Sequence, residues 1–375
     1  MNQAASEREG FSRGRYFEMM LPTRYESNHA ADLLELPDGT LLCCWFAGSK
    51  EGNADVSIVL SRKEAESTSW SLPIRVSDDP TRSEQNPSLF LHPNGDIWLI
   101  YTAQLPKPID TGEFSIEEIP RFNMQYTAEI RRRISRDGGR TWMPSETIFS
   151  KSGSFCRQKI QILSSGRWIF GNWLCFDDDT HNGSDISLVQ ISDDQGESWR
   201  AVEIPGSRGR VHANLIQTGP RSLTAFFRSR AADHIYISHS EDQGEHWKPP
   251  VKTALPNNNA GISACRLQSG RLLIVYNDCN ANEDPNCAVW PNRRCPITAA
   301  LSEDGGRTWP YQRIVEHGEG FVGEKNADRN RRYEYPIALQ GADRTIHIAY
   351  SYGDRECIKY VRVTEDWIIG KDVKE

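Results

Sequence analysis

At residues 302–309 the chain reads SEDGGRTW, which follows the pattern Ser-x-Asp-x-Gly-x-x-Trp. The further copies are SRDGGRTW at 135–142, SDDQGESW at 192–199 and SEDQGEHW at 240–247, with a degenerate copy from Ser61 to Trp70. Ser and Asp side chains bond nearby backbone amides in turns, and glycine readily adopts a positive φ. Tryptophan can fold back over such a turn. The octapeptide therefore predicts the tip of a β-hairpin.

A second repeat sets the number of structural units. A glycine-containing turn followed by a hydrophobic strand occurs six times, as PDGTLLCCW, PNGDIWLIY, SSGRWIFGNW, TGPRSLTAFF, QSGRLLIVY and QGADRTIHIAY. Successive turn glycines (39, 95, 166, 219, 270 and 341) are 51 to 71 residues apart. Units of this length with several short strands and no helical periodicity are typical of propeller blades.

These repeats predict an all-β fold, a six-bladed β-propeller of four-stranded antiparallel blades. We expect one domain over residues 1–375, with residues 1–15 as a flexible N-terminus. The ring is expected to close by pairing residues 16–21 with strands near residues 358–363.

The composition excludes two classes of partner. The 375 residues carry a net charge of -7, so no basic field recruits nucleic acid or a membrane surface. No apolar run approaches the ~20 residues of a membrane span, and residues 1–15 contain no apolar signal segment.

The cysteines and the acidic loops give no indication of a metal or another cofactor. The nine cysteines are scattered without a CxxC pair, which predicts buried free thiols in a reducing cytoplasm. Secretion after removal of a signal stays as the alternative location. Asp177, Asp178 and Asp179 with His181 are interpreted as a solvated acidic loop rather than a cation site.

Polar residues begin each of the six strands that precede the glycine turns. Inner strands of a propeller converge on its axis, so these residues are expected to face one central funnel. Polar groups in apolar strands cost burial energy unless they find partners, which predicts a ligand pocket, or else bonding to water or one another. The residues are Asn28, His29, Gln85, Asn86, Arg157, Gln158, His212, Asn214, Asn258, Asn259, Glu334 and Tyr335.

The chain resembles the sialidase (neuraminidase) superfamily, whose octapeptide turns are known as Asp boxes or BNR repeats. The resemblance rests on the four Asp boxes and the six-blade repeat, and it covers nearly the whole chain. It implies that Arg228 in AFFRSRAADHIYISHSEDQG and Arg294 in PNRRCPITAALSEDGG bind a substrate carboxylate, with Arg293 as the alternative to Arg294. A guanidinium fork suits this task, and Arg157 is a candidate third contact.

The resemblance also implies a catalytic pair. Tyr335 in RRYEYPIALQ matches the nucleophilic tyrosine of sialidases, although a free phenol needs activation at neutral pH. The acid of sialidases lies in the loop after the first hairpin. Here the loop FAGSKEGNADVSI offers Asp55, with Glu51 as the second choice.

Two positions depart from the sialidase pattern. The chain has Ser27-Asn28-His29-Ala30 in place of the first arginine, and Val211-His212-Ala213-Asn214 in place of the glutamate that activates the tyrosine. Imidazole titrates near neutral pH, so His29 and His212 are predicted to transfer protons, with His212 as a neutral base for Tyr335. These departures predict negligible release of sialic acid from simple sialosides.

Three functions remain open from the sequence. The first is a sialidase-like exo-acting glycoside hydrolase for a terminal carboxylate-bearing sugar of the nonulosonic or uronic acid type. The second is a uronate lyase that uses His and Tyr for β-elimination, and the third is a non-catalytic glycan-binding propeller. In each case the partner is an acidic glycan, and the predicted substrate-binding residues are Arg228, Arg294, Arg157, Asn28, Asn86, Gln158, Asn214 and Asn259.

Overall fold

Six antiparallel sheets follow one another along the chain and form the six blades of a β-propeller. The computed structural model describes residues 16–107, 124–178, 180, 182–282, 284, 287–291, 293–318 and 332–370. The predicted fold class is confirmed. The predicted flexible segment, residues 1–15, lies outside the described residues.

Each blade runs from an inner strand at the axis to an outer strand at the rim. Blade one contains β2 (Ser27–Glu35), β3 (Leu41–Gly48), β4 (Ser57–Lys63) and β5 (Ile74–Arg75). Blade two contains β6 (Ser83–Leu91), β7 (Ile97–Gln104), β8 (Glu129–Ser135) and β9 (Glu146–Phe149). Blade three contains β10 (Ser154–Cys156), β11 (Gln161–Ile162), β12 (Trp168–Leu174), β13 (Ile186–Ser192) and β14 (Arg200–Glu203).

The remaining blades follow the same order. Blade four contains β15 (Arg210–Gln217), β16 (Leu223–Ser229), β17 (His234–Ser240) and β18 (Val251–Pro256). Blade five contains β19 (Ser263–Arg266), β20 (Leu272–Asn277), β21 (Ile297–Ser302) and β22 (Tyr311–Glu316). Blade six contains β23 (Glu334–Gln340), β24 (Ile346–Tyr352), β25 (Cys357–Val363) and, as its outer strand, β1 (Tyr16–Met20).

Two short helices complete the described secondary structure, a 3₁₀ turn at Gln125–Thr127 and an α-helix at Glu365–Ile369. No helix within the described ranges is long and apolar enough to cross a membrane. All nine cysteines are free thiols, of which Cys287 is exposed.

The N-terminal strand closes the ring. β1 pairs antiparallel with β25, with Tyr16 opposite Val363 and Met20 opposite Lys359, which confirms the predicted closure. The Lys359 ammonium lies 2.7 Å from the Glu18 carboxylate and 2.8 Å from that of Glu316 in blade five. The first strand is thus held by a backbone ladder and by an ion-pair network that reaches the neighbouring blade.

The Asp boxes occupy hairpin tips at the rim, between the third and outer strands. In the last copy, Asp304 accepts the backbone N–H groups of Arg307 and Thr308 at 3.0 and 2.9 Å, and the Thr308 hydroxyl at 2.7 Å. These hydrogen bonds, that of the Thr308 side chain above all, lower the pKa of Asp304 to about 2. Trp309 is buried against Phe226 of blade four, so each turn also helps to join adjacent blades.

The inner strands share a β-bulge close to the axis. The ladder register shifts after His29, Gln85, Val211 and Glu334 in blades one, two, four and six. Within each bulge one residue has a positive φ: Ala30 (57°), Asn86 (50°), His212 (57°) and Tyr335 (55°). Bulges re-aim side chains, and left-handed backbone at non-glycine residues concentrates at functional sites. The bulge therefore selects which residue of each inner strand faces the axis.

Blade three departs from the four-stranded prediction because its inner strand is interrupted. β10 pairs with β12 at one end and β11 pairs with β12 at the other, so this sheet has five strands. Residues 157–160 lie between the two short strands and leave the ladder.

Candidate active site

A cavity of about 120 Å³ lies at the axis, at the end of the propeller where the inner strands begin. The inner strands contribute Gln85, Asn86, Phe155, His212 and Tyr335 to its wall. The second strands and the segments after them contribute Glu51, Gln125, Trp173, Arg228, Arg230, Trp290, Arg294 and Arg355. The wall is therefore rich in arginine and aromatic side chains, and the four Asp-box aspartates are outside it, as predicted.

Tyr335 lies among arginines in this wall. Its hydroxyl oxygen accepts a hydrogen bond from Nη1 of Arg228. The guanidinium carbons of Arg228 and Arg294 are 5.2 and 5.8 Å from the ring centroid. Burial opposes ionisation of the phenol, but the charges of Arg228 and Arg294 outweigh it and lower the pKa of Tyr335 below its ordinary value of 10.0. The site thus favours the phenolate that a tyrosine nucleophile or base requires.

Arg228 is a buried cation that forms no ion pair with a carboxylate of the described residues. Its Nε donates to Oδ1 of Asn259 at 2.7 Å, and its Nη1 lies 3.2 Å from Nε2 of His212 and bonds the Tyr335 hydroxyl. Nη2 is buried, and no described residue accepts from it. Burial lowers the pKa of Arg228 to about 10, so the group still carries its charge at neutral pH. An anion in the cavity would supply the counter-ion that this guanidinium lacks.

Arg294 and Arg355 share a buried carboxylate. Glu334 is fully buried at the start of β23, forms an ion pair with Arg294 and accepts from Nε of Arg355 at 2.7 Å. Arg355 also donates through Nη1 to Glu51. Its turn is tied to blade one, because Asn28 donates its backbone N–H to the Arg355 carbonyl at 2.8 Å. The first inner strand has no arginine at the position where sialidases have one, and the guanidinium on this side of the cavity is that of Arg355 in blade six.

The two histidines do not have the roles that the sequence predicted. The ring of His212 stacks on Trp173 with centroids 4.3 Å apart, and its Nε2 faces Arg228. Because a guanidinium only donates, Nε2 must accept, and it is not available as the base for Tyr335. Burial and then the surrounding arginines hold the pKa of His212 well below 6.5. The assignment of His212 as the activating base is therefore wrong in this structure.

His29 lies behind Tyr335 rather than in the cavity wall. It precedes the left-handed residue of its bulge, and its ring packs against that of Tyr335 with centroids 4.2 Å apart. Nδ1 is 2.8 Å from the Ser351 hydroxyl. Burial, followed by Arg355 and other arginines, holds the pKa of His29 well below 6.5, so it is neutral and supports the tyrosine ring.

The choice of Asp55 over Glu51 as the candidate acid is also corrected. Asp55 is exposed, and its carboxylate accepts the backbone N–H and the hydroxyl of Ser49 at 2.7 and 2.8 Å, which caps its own loop. Glu51 lies in the cavity wall. The loop was identified from the sequence, but its turn geometry decides which carboxylate points inward.

Several residues predicted to bind substrate instead hold the blades together. Arg157 donates to the Ala31 carbonyl at 2.9 Å and to that of Tyr335 at 3.3 Å. Asn214 accepts the Ala264 N–H at 2.9 Å. The remaining such residues are Gln158, which donates to the Ile262 carbonyl at 3.2 Å, and Asn28, which donates to the Glu356 carbonyl of blade six at 3.0 Å. Asn259 has an indirect role because it orients Arg228.

Of the predicted residues, Asn86, Arg228, Arg294, His212 and Tyr335 do meet in the cavity. Sequence reasoning missed Arg230, Arg355, Phe155, Trp173 and Trp290. Arg355 follows the second strand of blade six, and Glu51 follows that of blade one. Charged residues that follow the second strand of a blade were thus the sequence feature that could have identified Arg355 and Glu51 as part of the site.

The proposed absence of a metal centre stays a prediction. The described part of the chain contains no group of three or more His, Cys, Asp or Glu side chains able to hold a metal ion. In the acidic loop, Asp179 and His181 lie outside the described residues.

Gly261 makes room for the ring of Tyr335, which leads to a first prediction. A Cβ at this position would lie 3.1 Å from Cγ and 3.2 Å from Cδ1 of Tyr335, whose ring also contacts His29. Gly261→Ala is therefore expected to displace the ring and to destabilise the fold by about 1–3 kcal/mol, measured by urea unfolding. Gly219→Ala, next to a polar turn, is the control and should change stability by less than about 0.5 kcal/mol. Wild-type stability together with an unmoved Tyr335 in a crystal structure of Gly261→Ala would contradict this view.

Comparisons with known proteins agree with the architecture. Residues 39–348 match the family model described as BNR repeat-like domain. The fold is similar to the Hadza microbial sialidase Hz136 (TM-score 0.69, 17% identity, 91% of this chain and 66% of that chain). It is also similar to the NanB sialidase from Streptococcus pneumoniae (TM-score 0.68, 14% identity, 94% and 70%) and to a Dyadobacter fermentans protein of unknown function (TM-score 0.71, 16% identity, 94% and 99%).

No curated protein matches the sequence. Identities this low show a shared fold and no more. The family model, in contrast, spans most of the chain and includes all four Asp boxes. The chain belongs to the BNR repeat-like domain family and has the six-bladed propeller of the sialidases.

Proposed function

We propose that this protein is an exo-acting glycoside hydrolase that removes a terminal carboxylate-bearing sugar from an acidic glycan. The observation that carries the proposal is Arg228, a buried guanidinium that is bonded to the Tyr335 oxygen and whose Nη2 has no acceptor among the described residues. A sugar carboxylate would pair with Arg228 and orient the ring so that its anomeric carbon meets the phenol. In a nonulosonic acid the anomeric carbon bears the carboxylate, and in a uronic acid it lies across the ring oxygen from the carbon that bears it. Charge-assisted contacts of this type are stronger than neutral hydrogen bonds and fix orientation.

The proposed reaction uses Tyr335 and Glu51. The Tyr335 phenolate attacks the anomeric carbon while the glycosidic C–O bond breaks, and protonated Glu51 gives its proton to the leaving oxygen. Water then attacks the glycosyl–tyrosine bond, its proton passes to Glu51, and the phenolate leaves. Tyrosine nucleophiles are a known exception to the two-carboxylate scheme of glycosidases.

The dimensions of the cavity support action on one terminal residue. Its volume of about 120 Å³ is well below the ~300–1,000 Å³ of pockets that hold drug-sized ligands. A single compact ring such as a hexuronic acid suits this space better than a nine-carbon nonulosonic acid with extended substituents. The proposal therefore keeps both sugar types and favours the uronic acid.

A lyase is the second candidate, and the surroundings of Tyr335 favour it. No described carboxylate accepts from the Tyr335 hydroxyl, and both flanking histidines are neutral. The phenolate could instead remove the proton α to a uronate carboxylate bound by Arg228 and Arg294. The electron pair would form a carbon–carbon double bond, and the β-oxygen would leave with a proton from Glu51.

Product analysis tests these functions, and it is the second prediction. We expect wild-type protein to act on glucuronides or galacturonides, with negligible turnover of simple sialosides, while methyl esters of the same sugars stay uncleaved. Mass spectrometry of a saturated acid indicates hydrolysis, and an unsaturated uronate, which absorbs in the near ultraviolet, indicates elimination. Retained binding without turnover on a broad acidic panel would favour the glycan-binding module. Efficient turnover of an ordinary sialoside with Tyr335→Phe fully active would refute both the specificity and the role of Tyr335.

A further inference from the structure

The Glu51 carboxylate accepts a hydrogen bond from one edge of the Arg355 guanidinium, which faces the cavity. Arg355 donates through Nε to Glu334 and through Nη1 to Glu51. These two carboxylates differ in access, because the side chain of Glu51 is 34% exposed and that of Glu334 only 1%. Glu334 is a fixed counter-ion, whereas an incoming ligand can reach the edge of Arg355 that Glu51 covers.

The backbone under Glu51 is held independently of its carboxylate. Lys107 donates through Nζ to the Glu51 carbonyl at 3.0 Å and through its backbone N–H to the Gly52 carbonyl at 2.7 Å. Its aliphatic stem lies over Gly52, where a Cβ would come within 2.5 Å of Lys107 Cε. The Glu51 side chain can therefore leave Arg355 by rotation about its own bonds while the loop stays in place.

We propose that the Glu51 carboxylate, in the free protein, occupies the place on Arg355 that the carboxylate of the ligand takes in the complex. The carboxylate of an acidic sugar displaces Glu51 from Arg355, and the released Glu51 takes up a proton from solvent. Glu51 is thereby loaded as the general acid only when an acidic sugar is bound. This inference rests on the proposed function, because it requires a ligand carboxylate in the cavity.

The charges around Glu51 make this exchange favourable. Burial raises the pKa of Glu51, but Arg355 in particular, together with Lys107 and Arg294, lowers it below 4.5, so the free protein holds an ionised carboxylate. A ligand carboxylate would neutralise Arg355 and add a negative charge, while the effect of burial would persist. The charged and titratable groups that act on Glu51 are Arg355 from blade six, Arg294 from blade five, Lys107 from blade two, Arg228 from blade four, and Tyr335.

The exchange couples binding to pH. The complex holds a proton that the free protein does not hold, so affinity must fall as pH rises, by at most about tenfold per pH unit for one proton. Glu51→Gln cannot take up this proton and leaves Arg355 without its carboxylate competitor. We therefore expect this variant to bind the acid about two- to fivefold more tightly at pH 7, since a partly exposed ion pair is weak.

Isothermal titration calorimetry tests the inference and is the third prediction. D-Glucuronate and N-acetylneuraminate are titrated into wild-type protein, Glu51→Gln and Asp55→Asn in phosphate and in Tris, whose ionisation heats differ. Wild type and Asp55→Asn should take up a proton on binding, at most one per ligand, and lose affinity as the pH rises above the lowered pKa of free Glu51. Glu51→Gln should take up none and should show little dependence on pH.

The possible failures are distinguishable. Binding to wild type without proton uptake, or weaker binding to Glu51→Gln in a variant with wild-type circular dichroism, would overturn the exchange and leave the proposed function standing. Absence of binding by both acids, or binding that Arg228→Ala leaves unchanged, would refute the proposed function and the exchange with it.

Discussion

Replacement of Tyr335 by phenylalanine is expected to lower kcat on an acidic glycoside by about 10³-fold or more, because the reacting oxygen is removed. Binding should change much less. The introduced phenyl ring would keep the contacts with His29, and Arg228 would lose only the Tyr335 oxygen, which a bound carboxylate can replace. Kd for the free acid, measured by calorimetry, should therefore stay within about fivefold of wild type.

Tyr333→Phe is the matched control for this prediction. Tyr333 is a second buried tyrosine in the same segment, but its ring packs on Tyr352 and it is not part of the cavity wall. This variant should retain wild-type kcat. Activity of Tyr335→Phe within about tenfold of wild type would show that the reactive group lies elsewhere in the wall.

Loss of Arg228 is expected to give the largest effect on KM. Charge-assisted hydrogen bonds contribute about 1.5–3 kcal/mol, so Arg228→Ala should raise KM for the acidic sugar roughly 10- to 150-fold. Arg228→Lys should give a smaller loss, because it retains the charge but not the fork that bonds Asn259 and a carboxylate together. Steady-state kinetics on an acidic sugar and on its methyl ester measures the contribution of the carboxylate charge to KM. The ratio of the two KM values should move toward one in Arg228→Ala.

Arg271→Ala is the control for removal of an arginine. Arg271 forms ion pairs with Glu303 and Glu365 far from the axis, and surface pairs of this kind contribute little. We expect unchanged KM. An unchanged KM in Arg228→Ala as well, in protein that still folds, would mean that the carboxylate binds elsewhere and that the comparison with sialidases misassigned this arginine.

Compared with the sialidase pattern, two charged groups are missing from their usual strands in this cavity. The first inner strand has no arginine, and Asn28 of that strand instead holds the turn that carries Arg355. The position of the activating glutamate is filled by His212, whose lone pair faces Arg228. Arg228 and then Arg294 lower the pKa of Tyr335 against the effect of burial, and no carboxylate among the described residues is bonded to its hydroxyl.

The sequence alone determined the architecture. Asp boxes and glycine turns are local signals, since each hairpin needs a residue with positive φ and side chains that bond its own backbone. Their number and spacing then specified six blades, and the polar residues at the start of the six inner strands predicted an axial site. Arg228 and Arg294 were identified because their segments, each followed by an Asp box, resemble the corresponding segments of sialidases.

Only the tertiary structure decided which polar side chains enter the cavity. Alternation along a strand predicts two faces, but a bulge with one left-handed residue resets that alternation in each of the inner strands of blades one, two, four and six. It turns His212 into the wall and leaves His29 behind Tyr335. Arg355, Glu51 and Glu334 meet because blades one and six are adjacent in the closed ring, although Glu51 and Arg355 are far apart in the chain. Such a contact depends on ring closure and turn geometry, which no local pattern encodes.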